Sequence, residues 1–290
     1  MSTKTRIQTR ALSPAIGIEV LGVDLSEELD AETFGEIERT FNGNGLLLFR
    51  NQKLTPGQHV ALSRRFGRLQ SHVLKPYLME GHPELLVLSN ILQDGKPIGI
   101  GDAGQYWHSD TSYTASPCRC SLLYSREVPA PEGDRTFGDT MFSSLTAAYE
   151  ALDDAMKARL APLTALHSYA KHYARMQAAG SKRPDLTEEQ KREVPVVEHP
   201  VVRPHPITGR KAIYVNDGYT TEIVGLPKAE SDELLDQLFE HTVKPEFTYR
   251  HKWQVGDLLI WDNWQSQHLA ITDYKLPQRR LMNRTTVLAD

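Results

Sequence analysis

The sequence predicts a mainly β protein with helical decoration, of the α+β class: a sandwich or barrel of short strands with helices outside it. Four strand-like runs follow closely near the C-terminus, at 246–253, 257–263, 266–272 and 279–288, punctuated by Pro, Gly and Asn-Trp. Apolar runs bounded by charge or turn residues stand earlier, at 45–50, 84–90 and 121–128. Segments of helical period lie apart from both groups. No repeat, coiled coil, low-complexity tract or clean linker divides the chain, so residues 1–290 are expected to form a single domain.

In chain order, residues 16–24 alternate as a strand, and 29–41 read as a helix. The run 45–50 is a buried strand. Thr55-Pro56 then opens a helix, with Thr as N-cap and Pro in the first turn, and Gly67 closes it. A strand at 84–90 leads to a glycine-rich loop at 93–105. That loop contains Gly99-x-Gly101-x-x-Gly104, the letters of a dinucleotide fingerprint, but a Pro-Gly loop precedes it and a strand-like stretch follows. The required strand-turn-helix context is missing, which rejects that reading. Residues 106–113 read as extended. A strand at 121–128, a turn, and one helix over 144–160 come next. The polar segment 168–195 is a candidate lid insertion. A hairpin turning at Thr208-Gly209 and a helix over 228–242 precede the last four strands.

Composition narrows the partners. The 290 residues are 40% hydrophobic and 24% charged with formal net charge -4, and no long Lys/Arg run exists, so a nucleic-acid partner is not indicated. No stretch reaches the ~18 apolar residues of a membrane span, and the N-terminus lacks the apolar centre of a signal peptide. Two cysteines, Cys118 and Cys120, read as buried thiols and fit a reducing, cytoplasmic setting.

The chemistry concentrates in Tyr106-Trp107-His108-Ser109-Asp110. In an extended strand residues i and i+2 share a face, so His108 and Asp110 could present an imidazole and a carboxylate to one point. That is two thirds of the 2-His-1-carboxylate triad of non-haem Fe(II) oxygenases; the same pair also fits a surface hydrogen bond. His268, near the C-terminus, is the candidate third ligand, though taken singly it also fits a hydrogen-bonded core histidine. Arg280 and Arg284 share strand parity, while Arg279 faces the other way. Two guanidinium groups facing one pocket are costly unless they bind anions; a solvated basic edge strand is the other reading. Joined, these residues suit Fe(II) chelated by a 2-oxo acid, with O2 as oxidant and a fixed cation for the acid's distal carboxylate.

The chain resembles the taurine/2,4-dichlorophenoxyacetate dioxygenase (TauD/TfdA) family of Fe(II)/2-oxoglutarate enzymes. The likeness runs through residues 66–72, 107–110, 138–142, 147–152, 199–227, 261–263 and 276–290, in matching order. It implies a double-stranded β-helix (jelly roll), with His108, Asp110 and His268 as iron ligands. Arg280 and Thr140 would hold the distal carboxylate of 2-oxoglutarate, and Arg284 and His72 the anionic group of the substrate. At two positions the chain departs from the taurine enzyme: Lys75 stands for a tyrosine and Gly104 for an asparagine. These departures argue against taurine itself and suit a carboxylate, sulfonate, sulfate or phosphonate, with Lys75 adding positive charge. Tyr106 and Tyr214 are candidate walls for the organic part, as are Trp107, Tyr113 and Tyr219, while His167 and His172 receive no role. The expected activity is hydroxylation of a small anionic organic substrate with succinate and CO2 as co-products, in a homodimer or homotetramer. A metal-dependent hydrolase and a non-catalytic jelly-roll binding protein are the alternatives.

Overall fold

The computed structural model describes residues 7–71, 75–178 and 186–289. An eight-stranded sheet runs in the order Gln8–Ala11, Ile18–Leu21, Leu46–Phe49, Leu258–Asp262, Cys120–Glu127, Leu281–Val287, His82–Ser89, Leu78–Met79. Its pairs are antiparallel except the one joining Ile18–Leu21 to Leu46–Phe49. A smaller sheet has Thr140–Ser144 at its centre, flanked by Thr248–His251 and Ser266–Ala270. The two late strands of the large sheet insert between early ones. Arg284 thereby lies opposite Leu86 on one side and Leu123 on the other.

The alternation along these strands decides the layers. Leu46, Leu48, Leu123, Leu259 and Trp261 point inward and pack with Phe142 of the small sheet. Their neighbours Leu47, Phe49, Leu122, Tyr124, Leu258 and Ile260 point outward onto Phe34, Ile37, Phe41, Leu62 and Phe66 of two helices, Ala31–Asn44 and Pro56–Phe66. Both faces of the central strands are thus buried, which is why they read as unbroken apolar runs rather than alternating ones. Each fully buried side chain of this size stabilises by about 1.5–3 kcal/mol. The helices start where the sequence signals them. Asp30 accepts the Thr33 N–H at 2.8 Å. Thr55 and Gln58 form a capping box with Pro56 in the first turn. A second apolar cluster, including Leu160, Ala165, Ile213, Ile223, Leu234 and Leu238, joins helix Lys228–Thr242 to the three-stranded sheet of Val197–Pro200, Thr164–His167 and Thr220–Ile223.

Two expected elements need correction. The helix expected over 144–160 is two, Leu145–Glu150 and Asp154–Leu160, because Asp153 caps the second by accepting the Met156 N–H at 2.7 Å. The stretch 106–113 is not a strand. His108 makes an isolated bridge, and the residues after it turn, with Ser112 N–H bonded to Ser109 O (3.3 Å) and Thr114 N–H to Thr111 O (2.9 Å). Short polar side chains satisfy the backbone locally there: Thr111 Oγ1 accepts the Cys118 N–H at 2.7 Å. The polar segment 168–195 carries helices Tyr169–Ala178 and Glu188–Glu193, while 179–185, the middle of the expected lid, lie outside the described residues.

The glycine-rich stretch opens with a short ladder, Leu92–Gln93 paired with Lys96–Pro97, and continues as a loop with no helix after it. Gly99 serves close packing: a Cβ there would sit 2.7 Å from Val87 O, and the neighbouring Ile100 N–H donates to that same carbonyl at 3.0 Å. Among the described residues no helix is long and apolar enough to cross a membrane.

Candidate metal centre

His108 and His268 stand directly opposite each other. Each donates its backbone N–H to the other's carbonyl, at 3.0 and 2.8 Å, in an antiparallel bridge. Directly paired residues project to the same side, so the two imidazoles lie with ring centroids 4.1 Å apart. Asp110 arrives from the turn after His108. One donor atom from each of His108, Asp110 and His268 falls within 4.8 Å of the others, and all three residues are buried.

Hydrogen bonds fix the direction of each donor. His108 Nδ1 lies 2.8 Å from Tyr106 O, so Nδ1–H donates to that carbonyl and Nε2 is turned toward Asp110 Oδ1, 3.6 Å away. Ser121 Oγ donates to the other oxygen, Asp110 Oδ2, at 2.6 Å. Asn263 Oδ1 accepts the Asp110 N–H at 3.2 Å, and Asn263 Nδ2 approaches Cys118 Sγ at 3.1 Å and Ser121 Oγ at 3.4 Å. The His268 ring packs on Trp261 and Phe142, and its Nδ1 has no hydrogen-bond partner.

The charge states suit ligation. Burial pushes the Asp110 carboxyl up, but Arg284, His268 and His108 outweigh it and hold the group well below its ordinary 3.8, as a carboxylate. Burial, reinforced by His108 and Arg284 against the pull of Asp110, keeps His268 well below 6.5 and neutral. Two imidazole nitrogens and one hard anionic oxygen, buried and converging, fit a divalent first-row metal such as iron. The Cys118 thiol is pushed up to about 12 by burial and by Asp110; both cysteines are buried and free.

One pocket opens beside this cluster. His108, His268, Thr140, Arg280 and Arg284 line it, with Tyr274, Trp261 and Gly104. Strand parity accounts for the gathering. Thr140 lies opposite Ala270 and Phe142 opposite His268, so all four face the large sheet. Arg279, of opposite parity, ion-pairs with Glu127 at the surface, at 2.8 Å. Arg284 Nη1 is 3.3 Å from Asp110 Oδ1, and its Nε has no partner among the described residues. Arg280 is 7% exposed, its Nε is likewise unpartnered, and no carboxylate among the described residues lies within ion-pair distance. Burial lowers its pKa, with Tyr274 and Asp139 opposing.

The remaining candidates scatter. Tyr106 stands against His108 (centroids 4.8 Å), with its hydroxyl 2.9 Å from that of Tyr219. Tyr113 and Tyr169 continue this aromatic group, and Tyr106 also lies 3.9 Å from the His172 ring. Tyr214 is elsewhere. It is 2% exposed, packed against Arg203, His167 and His199, and not part of the pocket wall. Lys75 is exposed at the start of a short 3-10 turn, Lys75–Tyr77, away from the pocket lining. His72 lies outside the described residues.

Reasoning from sequence missed Ser121, Trp253 and Gly218. A Cβ on Gly218 would stand 2.5 Å from Tyr106 Cδ2 and 3.1 Å from His108 Cβ, so this glycine lets its loop close over the metal-ligand candidates. Asn263 was visible within the Trp-Asp-Asn motif, but its contact with the Asp110 backbone was not.

Two packed sheets that gather two histidines and two arginines at one pocket, with a carboxylate buried beside the histidines, present the donor set of a metal-dependent oxygenase. The chain belongs to the taurine catabolism dioxygenase TauD, TfdA family, whose profile matches residues 8–286, and it is an oxidoreductase. Its relatives include the alpha-ketoglutarate-dependent 2,4-dichlorophenoxyacetate dioxygenase of Cupriavidus pinatubonensis, 36% identical over 96% of each chain. The alpha-ketoglutarate-dependent sulfate ester dioxygenase of Pseudomonas putida is 32% identical over 95% of this chain and 87% of that one. Among solved structures, AAD-2 in complex with Mn(II) and N-oxalylglycine superposes with a TM-score of 0.81 at 31% identity, covering 99% and 98% of the two chains. A taurine dioxygenase from Burkholderia xenovorans gives 0.81 at 33% identity, covering 99% and 90%.

Proposed function

We propose that the protein is an Fe(II)- and 2-oxoglutarate-dependent dioxygenase that hydroxylates a small anionic organic molecule, on a double-stranded β-helix. The observation that carries this reading is the buried Arg280 guanidinium, without a counter-ion among the described residues, in the pocket lined by His108 and His268 of the His108–Asp110–His268 cluster. A buried cation of this kind is stable only beside an anion, and a 2-oxo dicarboxylate can bridge it to a metal held by the three donors.

His108, Asp110 and His268 would hold Fe(II). Arg280, through a bidentate fork suited to carboxylates, and the Thr140 hydroxyl would bind the distal carboxylate of 2-oxoglutarate. Arg284 would orient the anionic end of the substrate, while its contact with Asp110 keeps that carboxylate ionised. The Tyr106–Tyr219 pair walls the site beside His108 and excludes water. Bound iron and O2 supply the oxidising chemistry, with 2-oxoglutarate leaving as succinate and CO2. The named substrates of the relatives, aryloxyalkanoates and sulfate esters among them, share an anionic end and an organic body, which is the class proposed here. With the placements found, Arg284 is the stronger candidate for the anion and Tyr106 for the wall; Lys75 and Tyr214 are weaker.

The test is succinate release from 2-oxoglutarate with Fe(II) and O2, screened over aryloxyalkanoates, sulfonates, sulfate esters and phosphonates. Release that depends on iron and on one of these anions is expected. Arg280→Ala should raise the 2-oxoglutarate requirement, and Arg284→Ala chiefly the substrate requirement. No release with any anion, or unchanged 2-oxoglutarate dependence in Arg280→Ala, would contradict the reading.

A further inference from the structure

We propose that Trp253 is a positioning residue for the 2-oxo acid: its indole N–H turns the Thr140 hydroxyl into a hydrogen-bond donor aimed at the distal carboxylate. This rests on the reading of the Arg280–Thr140 end of the pocket given above.

The argument is one of hydrogen-bond polarity. A threonine hydroxyl has one hydrogen and two lone pairs, and can face a ligand either way; an indole N–H can only donate. Trp253 Nε1 lies 3.0 Å from Thr140 Oγ1, so Thr140 accepts there and its hydrogen is turned elsewhere. No acceptor among the described residues takes that hydrogen, and Thr140 lines the pocket. The outcome is that Thr140 O–H and the Arg280 guanidinium both present donors to this end of the pocket, which is what a carboxylate needs and what a cation would not tolerate.

The tryptophan is held firmly enough to do this. It is 6% exposed, and the His251 ring meets it edge-on at 4.6 Å. His251 Nε2 lies 3.0 Å from Asp257 Oδ2, which also accepts from Arg50 at 2.6 Å. Arg280 Cζ lies 5.9 Å from the Trp253 ring centroid, so one side chain borders both carboxylate-binding groups. The nearby acid, Asp139, is not part of the pocket lining, and its Oδ2 is held by Arg250 Nε at 2.7 Å and Thr136 Oγ1 at 2.8 Å.

Trp253→Phe tests the idea, because it keeps an aromatic ring beside His251 and Arg280 and removes the N–H, while the Thr140 backgrounds below separate that loss from the smaller ring. Binding is read by calorimetry of N-oxalylglycine, a 2-oxoglutarate analogue, with Mn(II)-loaded protein. The Kd should rise about 5- to 10-fold, the scale of one hydrogen bond between neutral groups, here the indole N–H and the Thr140 hydroxyl, with Mn(II) affinity unchanged. In a Thr140→Val background the same substitution should change Kd less than about 2-fold, since the hydroxyl it acts through is gone. In Thr140→Ser, which restores the hydroxyl, the loss should return. An unchanged Kd in Trp253→Phe with Mn(II) still bound, or an equal loss with and without the Thr140 hydroxyl, overturns the proposal. Wild-type protein that binds Mn(II) but no N-oxalylglycine removes the 2-oxo acid reading itself, and this inference with it.

Discussion

Ser121 decides which oxygen of Asp110 faces the donors of His108 and His268. Its hydroxyl occupies Oδ2 at 2.6 Å and leaves Oδ1 on the histidine side. Groups that orient a ligand in this way typically contribute 10- to 100-fold to metal affinity. Ser121→Ala should therefore weaken Co(II) binding about 10-fold, with the fold intact because the side chain is small and fully buried; titration of the visible Co(II) bands checks it, and an unchanged affinity would show Asp110 to be held by other contacts. At this scale the sequence was partly legible. His108, Asp110, His268 and Arg280 have side chains whose types announce their chemistry. Ser121 and Trp253 do not: a buried serine and a core tryptophan look like packing until strand register shows what stands opposite.

At the scale of elements, the site depends on a bridge of one residue pair and on the loop that closes over it. The sequence reading expected His108 and Asp110 on one face of a strand. The structure instead pairs His108 with His268 and reaches Asp110 through a turn. Local side-chain hydrogen bonds of Thr111 and Thr114 win over a strand ladder there, and a pattern of apolar and polar residues does not record that competition. Where helix caps or unbroken apolar runs carried the signal, as at Thr55-Pro56 and Leu46–Phe49, elements and sequence agree. The loop over the site makes a separate prediction. Gly218→Ala places a carbon against Tyr106 and His108, which should destabilise by about 1–3 kcal/mol and displace the His108 imidazole. Divalent-metal affinity should fall with the melting temperature; a loss of stability with full metal affinity would separate the loop from the site.

At the scale of the molecule, the two sheets bring the candidate ligands and both arginines, from distant parts of the sequence, to one buried place. Burial has a cost in acid. Burial depresses His59 and His167 to about 3, so the folded protein keeps both neutral while the unfolded chain protonates them near 6.5. Stability is therefore full above that value and falls as pH drops from 6.5 toward 3, by at most about 1.4 kcal/mol per pH unit for each histidine. Asp110, held below its ordinary value, extends the loss below 3.8. Urea midpoints of the metal-free protein between pH 7 and 4 should decline accordingly, and His59→Leu should flatten the slope; a flat profile in the wild type would mean that water reaches these rings. The layered sheets were foreseeable from strand spacing and parity. The pairing of late strands with early ones was not, because it joins parts of the chain that share no local pattern.

The measurement that bears most directly on the whole account is an anaerobic visible spectrum of the metal-free protein given Fe(II), then 2-oxoglutarate. The arrangement of His108, Asp110, His268 and Arg280 predicts a weak charge-transfer band that needs both additions and is lost in His108→Ala and, at limiting 2-oxoglutarate, in Arg280→Ala. A protein that binds Fe(II) and shows no band at saturating 2-oxoglutarate would contradict it.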